Sequence, residues 1–214
     1  MQQENLLRFL KLCLKGEGTG GLLAGRPGIG KTNALFKAIA EYGIAKDQYF
    51  YATNYCTPRA FFDLLLENNN KIIILDDSEL FLGNKIIQNF LRSALWANNS
   101  ERKIIYYTSK QKSEFVFTGK ILMILNYLPK EIETLKDRVP FMEYNLSNPE
   151  ILSIAEAEIL PKEYKGLPFG DRKIVFEYVK SQTTKDKIIS FRTYIKAMDA
   201  FLFDRKNFKQ MIQI

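Results

Sequence analysis

Residues 22–33 read LLAGRPGIGKTN, and this stretch restricts the architecture more than any other part of the chain. Gly25 to Thr32 fit the spacing G-x-x-x-x-G-K-[ST]. The preceding GGLLAG reads as a short buried strand. The following TNALFKAIAEY carries Ala34, Leu35, Ala38, Ile39 and Tyr42 at helical spacing. Strand, glycine turn and helix in that order form a phosphate cradle. Glycines let backbone N–H groups point inward, and the helix N-terminus adds partial positive charge. The sequence therefore predicts a site for ATP and Mg²⁺ built on Gly25, Pro27, Gly28, Ile29, Gly30, Lys31, Thr32 and Asn33. Lys31 would reach the β- and γ-phosphates, and the Thr32 hydroxyl would ligate the metal. The plainer alternative is a tight turn followed by a solvated lysine.

A triphosphate site needs a carboxylate for its metal, and KIIILDDSE supplies two. Ile72 to Leu75 form a continuous aliphatic run, suited to a parallel strand covered on both faces. Two aspartates would be costly inside a core, but they fit the C-terminal edge of an open α/β sheet, where ligands bind. Asp76 is the expected Mg²⁺ carboxylate and Asp77 the group that orients and polarises an attacking water. A solvated Asp-Asp turn is the competing reading. KILMILNYLP is a further buried-strand pattern, ending in Asn126.

Composition narrows the chemistry. The chain contains no histidine, which removes Ser-His-Asp triads, Cys-His pairs and nearly all zinc chemistry. Cys13 and Cys56 are the only cysteines and read as two reduced, half-buried thiols. The formal net charge is +7, which permits an anionic partner. Residues 161–214 hold twelve Lys/Arg against six Asp/Glu, so most of the surplus is C-terminal. No secretory leader pattern opens the chain, and no stretch approaches the roughly 20 apolar residues of a membrane helix. A cytoplasmic address with no membrane partner is expected.

The order of patterns is helix (4–15), strand, glycine turn, helix, strand QYFYAT, helix, strand KIIIL, helix NKIIQNFLRSALW, strand RKIIYY, strand ILMILN, helix, strand FMEYNL, then helices. Thr57-Pro58 suits the cap and first turn of helix RAFFDLLLEN. Strands alternating with helices predict an α/β fold with a parallel five-stranded sheet covered on both faces. The 214 residues suffice for such a core plus a small appended domain. Residues 1–146 are expected to form the nucleotide-binding core and 147–214 a helical lid. YYTSKQKSEFVFTG (106–119) reads as a hairpin or long loop with Lys110 and Lys112 at its tip.

PGIGKT, the Asp-Asp strand and the Asn126 strand together resemble an AAA+ P-loop ATPase across nearly the whole chain. The resemblance implies further roles. Asn126 would help position the attacking water. Arg138, in LKDRVPFMEYNL, would project into a neighbouring subunit as an arginine finger; a surface arginine capping a helix end fits the same position. Arg192, in ISFRTYIKAMDAF, would touch the γ-phosphate from the lid, with Lys196 on the same side of the helix; a solvated arginine also fits. The 106–119 segment would face a ring channel and meet a phosphate backbone, although a solvated lysine tip suits it as well. Most members carry Asp-Glu where this chain has Asp76-Asp77; replication initiators share the Asp-Asp form. Because Asp is one methylene shorter than Glu, and a misplacement of about 1 Å can cost on the order of 10²-fold, slow turnover is expected. TNYCTP offers only Tyr55 toward the aromatic grip that protein-unfolding rings use.

The leading functional expectation is ATP hydrolysis in an ATP-dependent homo-oligomer, ring or filament, acting on nucleic acid or a nucleoprotein complex. Replication initiators, helicase loaders and the compact ATPases of phages and other mobile elements are the implied relatives, with a helicase or other protein as a further client. A chaperone or adaptor that remodels a protein, a nucleotide or small-molecule kinase and a non-hydrolysing ATP-binding scaffold are the alternatives.

Overall fold

Alternation along the strands decides how the sheet is covered. The computed structural model describes residues 2–53, 56–96, 101–108, 111–184 and 187–212. Five strands pair in parallel in the order β2-β3-β6-β1-β7: β1 Gly20–Ala24, β2 Tyr49–Thr53, β3 Ile72–Asp76, β6 Lys120–Leu125 and β7 Phe141–Glu143. β1 is fully buried, and β3 and β6 are buried beyond their first residues, as continuous aliphatic runs require. β6 lies between β1 and β3, with Leu22 opposite Met123 and Ile73 opposite Ile121. Each fully buried Leu or Ile in this layer contributes about 1.5–3 kcal/mol relative to exposure.

One face of the sheet presents Leu22, Ile73, Leu75, Ile121 and Met123 to α3 (Pro58–Glu67) and α5 (Lys85–Leu95), through Phe61, Leu65, Ile87 and Leu91. The other face meets α1 (Gln2–Lys15) and α2 (Lys31–Glu41), whose Leu6, Leu10, Leu35 and Ala38 are buried. The cap expected at Thr57 forms, and Asn84 supplies a second. The Thr57 hydroxyl accepts from the Ala60 amide at 3.3 Å, and the Asn84 side chain accepts from Ile86 and Ile87.

The hairpin expected around 106–119 forms, and two other expectations need adjustment. RKIIYY is outside the parallel sheet: β4 (Lys103–Tyr107) pairs antiparallel with β5 (Lys112–Val116) as a separate ribbon. The ribbon packs there because Tyr106 and Phe115 stack with Phe62 and Phe90, giving its inner face aromatic partners the sheet does not need. Lys112 opens β5 rather than marking a tip, and Glu114 holds both it (2.5 Å) and Lys103 (2.6 Å). Lys110, like Tyr55, lies outside the described residues. Cys13 is fully buried rather than half-buried, because it faces the bare backbone of Gly21.

The chain separates into two compact units, Met1–Arg26 with Lys31–Tyr144, and Asn145–Ile214 with Pro27–Gly30. The second unit is helical: α7 (Asn148–Ile154) continues into a π turn, followed by α8 (Phe169–Gln182), α9 (Phe191–Phe203) and α10 (Phe208–Met211). Glu150 accepts from the amide and hydroxyl of Ser147, which caps α7 and lowers the Glu150 pKa. Val175, Phe176 and Val179 of α8 pack with Tyr194, Met198 and Phe201 of α9, and Phe208 closes one end. Arg172 is buried among them, its guanidinium donating to the carbonyls of Leu160 and Leu167. Among the described residues no helix is long and apolar enough to cross a membrane.

The α1–β1 contact generates a test. A Cβ on Gly21 would come 2.2 Å from Cys13 Sγ but 3.3 Å from Cys13 Cβ. Gly21→Ala is therefore expected to cost about 1–3 kcal/mol by overpacking. Adding Cys13→Ala should recover about 1 kcal/mol of it, read as a coupling energy in a urea double-mutant cycle; strict additivity would contradict the contact. Burial also pushes the Cys13 thiol up to about 12, against the opposing charge of Lys120. The stability this adds is complete below the thiol's ordinary value of 9.0 and is lost as pH rises toward about 12. Cys13→Ala should therefore flatten the fall in unfolding free energy across that interval.

Candidate functional site

The polar groups gather where β1, β3 and β6 end. Asp76 is 5% exposed, so its charge needs donors, and three are present. Oδ2 accepts from the Thr32 hydroxyl at 2.7 Å and from the Tyr51 hydroxyl at 2.7 Å, and Oδ1 accepts from the Asp77 amide at 3.0 Å. Thr32 reaches Asp76 because α2 begins directly after the glycine turn, on the face toward which β3 turns Asp76. The Tyr51 hydroxyl is pushed up from its ordinary value, first by desolvation and then by its bond to Asp76.

Lys31 is 5% exposed, and its ammonium donates to Gly25 O at 2.6 Å, Arg26 O at 3.0 Å and Asn126 Oδ1 at 3.1 Å. Asn126 in turn donates from Nδ2 to Asp77 Oδ1 at 2.5 Å. The amide orientation follows from charge: its carbonyl meets a cation and its NH₂ meets a carboxylate. Lys31 and Thr32, Asp76 and Asp77, and Asn126, from three distant parts of the chain, thus form one connected network. Asp77 is exposed and sits at φ 51°, a left-handed backbone that asparagine and aspartate tolerate better than most residues.

Two participants escape a reading of the sequence. Tyr51 reaches Asp76 only because the β2–β3 register sets Tyr51 beside Ile74 and Thr53 beside Asp76. Glu79 is 9% exposed and accepts from the Asn126 backbone amide, tying the tip of β6 to the segment after β3. The acidic run DDSE contained that second signal, but nothing in it distinguished Glu79 from a solvated carboxylate. Ser78, between Asp77 and Glu79, is fully buried, and its hydroxyl has no hydrogen-bond partner among the described residues.

The glycine turn depends on two left-handed residues. Gly28 and Gly30 have φ of 76° and 88°, which side chains rarely adopt. Gly25 and Ile29 are buried, Pro27 and Asn33 exposed. The turn leads directly into the N-terminus of the 11-residue helix α2, an end that carries partial positive charge. Within the helical unit, Gly28 O accepts from the Phe191 amide at 2.9 Å, and a Cβ on Gly28 would come 3.5 Å from Arg192 Cδ. Arg192 and Lys196, one helical turn apart, line a cavity of about 270 Å³ in that unit with Pro27, Ser190, Thr193 and Ile212.

Arg138 does not join the network. Its Nε donates to Thr134 O at 2.9 Å, across the end of α6 (Glu133–Lys136), and Asp137 lies 4.0 Å away. Among the described residues no group of three or more Cys, His, Asp or Glu side chains forms a metal cage. The donor set Thr32 and Asp76 suits a hard cation that retains water and takes phosphate oxygens, as Mg²⁺ does.

The left-handed Asp77 generates a test. Asp77→Gly relieves the backbone, whereas Asp77→Ala keeps its cost and loses the side-chain bond. The glycine variant should be the more stable of the two by about 1 kcal/mol in chemical denaturation; the reverse order would contradict the assigned backbone.

No family model and no curated protein matches the sequence. Solved structures do. The chain is similar to the Thermotoga maritima RuvB Holliday junction branch migration motor, with 16% identity and a TM-score of 0.56, covering 98% of this chain and 67% of that one. A variant of the same RuvB gives 16% identity and a TM-score of 0.58, with 98% and 68% covered. A DNA replication initiation factor gives 14% identity and a TM-score of 0.54, with 94% of this chain and 59% of that chain covered. These neighbours are AAA+ P-loop ATPases. With its parallel β2-β3-β6-β1-β7 sheet and the glycine turn between β1 and α2, this chain has the AAA+ P-loop ATPase fold.

Proposed function

We propose that the chain binds ATP with Mg²⁺ and hydrolyses it slowly as a homo-oligomer acting on DNA or a DNA–protein complex. The observation that carries the reading is the network joining Lys31, Asn126 and Asp77 beside the Thr32–Asp76 pair. The loop amides and Lys31 would bind the β- and γ-phosphates. Thr32 and Asp76 would hold the metal, which when bound neutralises charge on the phosphoryl oxygens. Asp77 would orient the attacking water and draw on its proton, with Asn126 fixing the carboxylate. Lys31 already sits on Asn126 Oδ1, so its cation keeps the amide turned with NH₂ toward Asp77.

Arg138 is proposed to complete a neighbouring subunit's site, where such an arginine is worth about 10³ to 10⁵ in rate. Support for a DNA partner comes from the named roles of the two structural neighbours and from the +7 charge. Slow turnover follows from the short Asp77 side chain.

Isothermal titration with ATP and Mg²⁺, paired with a phosphate-release assay, tests the core of this reading. Lys31→Ala should abolish release. Asp77→Asn should retain binding and fold stability while lowering release by about 10²-fold. A wild-type protein that ignores ATP in the presence of Mg²⁺ would sink the proposal. Mixing Arg138→Ala with Asp77→Asn subunits should restore part of the activity, since some mixed sites are complete; no recovery would remove Arg138 from that role. DNA affinity should fall steeply with added salt. Stimulation by a protein and not by DNA would select the remodelling alternative.

A further inference from the structure

Tyr51 is a side-chain donor to the proposed metal carboxylate that the functional reading above does not use. Tyr51, Ile74 and Asp76 project from the same face of the sheet, since β2 and β3 are in parallel register with Tyr51 opposite Ile74. The same face meets α2. Thr32 and Phe36 are four residues apart on that helix and so lie on one side of it. Thr32 bonds Asp76 Oδ2 at 2.7 Å, and the Phe36 ring lies 5.1 Å from the Tyr51 ring, tilted by 55°. Tyr51 is thereby held from the side by Phe36 while its hydroxyl donates to the oxygen that Thr32 also uses.

The geometry points to Tyr51 as a positioning residue for the metal site, fixing Asp76 through its hydroxyl so that the carboxylate stays turned toward Thr32. Three donors hold Asp76: the Asp77 amide on Oδ1, and Thr32 and Tyr51 on Oδ2. The Thr32 oxygen is itself a proposed metal ligand, so its orientation is shared with the metal. Tyr51 is the side-chain donor to Asp76 with no such second duty. A carboxylate held at both oxygens loses little rotational freedom on taking a metal or its water shell, and removing such an outer partner typically costs 10- to 100-fold in metal affinity. This inference rests on the ATP–Mg²⁺ reading.

Tyr51→Phe removes the hydroxyl and leaves the ring against Phe36. Calorimetric binding of a non-hydrolysable ATP analogue, measured across a Mg²⁺ series and in EDTA, is the test. The Mg²⁺ concentration that half-saturates the metal-dependent gain in affinity should rise about tenfold in the variant. Its metal-free affinity should stay within about twofold of the wild type, since the loop amides and Lys31 are untouched. Equal Mg²⁺ dependence in both proteins overturns the inference and leaves the ATP–Mg²⁺ reading intact. An equal loss with and without metal also overturns it, by making Tyr51 a packing residue. A wild-type protein without any Mg²⁺-dependent gain overturns the parent reading, and the inference with it.

Discussion

The bond from the Thr32 hydroxyl to the Asp76 carboxylate joins the first turn of α2 to the last residue of β3. Without it, a charged group 5% exposed at the end of an aliphatic strand would be short of donors, and the strand tip would have reason to shift. With it, the helix following the glycine turn is fixed relative to the sheet edge. Lys31 is adjacent in sequence and inherits that placement. The chemistry proposed for the site depends less on any single residue than on this link between two elements brought together by the β1–β6–β3 order.

Charge alternates through the network, and that alternation gives it direction. The Lys31 ammonium faces the Asn126 carbonyl, the Asn126 NH₂ faces Asp77, and the Asn126 backbone amide faces Glu79. Each group meets its complement, so the amide has one favourable orientation. Glu79 holds the backbone at this point while Asp77 holds the side chain. The tip of β6 is thus anchored twice on the segment after β3.

Much of this was legible in the sequence because the relevant signals are local. The glycine turn and its lysine, the aliphatic run before Asp76-Asp77 and the strand before Asn126 each announce themselves within about ten residues. The network itself needs the strand order, which follows from matching buried strands rather than from any one segment. Tyr51 was missed because its partner is chosen by inter-strand register, a non-local quantity. The β4–β5 ribbon was legible as a hairpin, from a polar centre between alternating aromatic runs, and the aromatic cluster around Phe62 explains why it folds apart from the parallel sheet. Cys13 shows the same limit, since its burial depends on a glycine facing it from another element.

The helical unit is closed by four residues from much earlier in the chain, Pro27–Gly30, with Gly28 O accepting from the Phe191 amide. During synthesis the β1 segment and its turn emerge long before residues 190–192 exist. Until then Gly28 O lacks the Phe191 amide as a donor. The turn's two left-handed glycines let it wander in the meantime at little steric cost. The bond from the Phe191 amide to Gly28 O is one that only a chain synthesised through α9 can make.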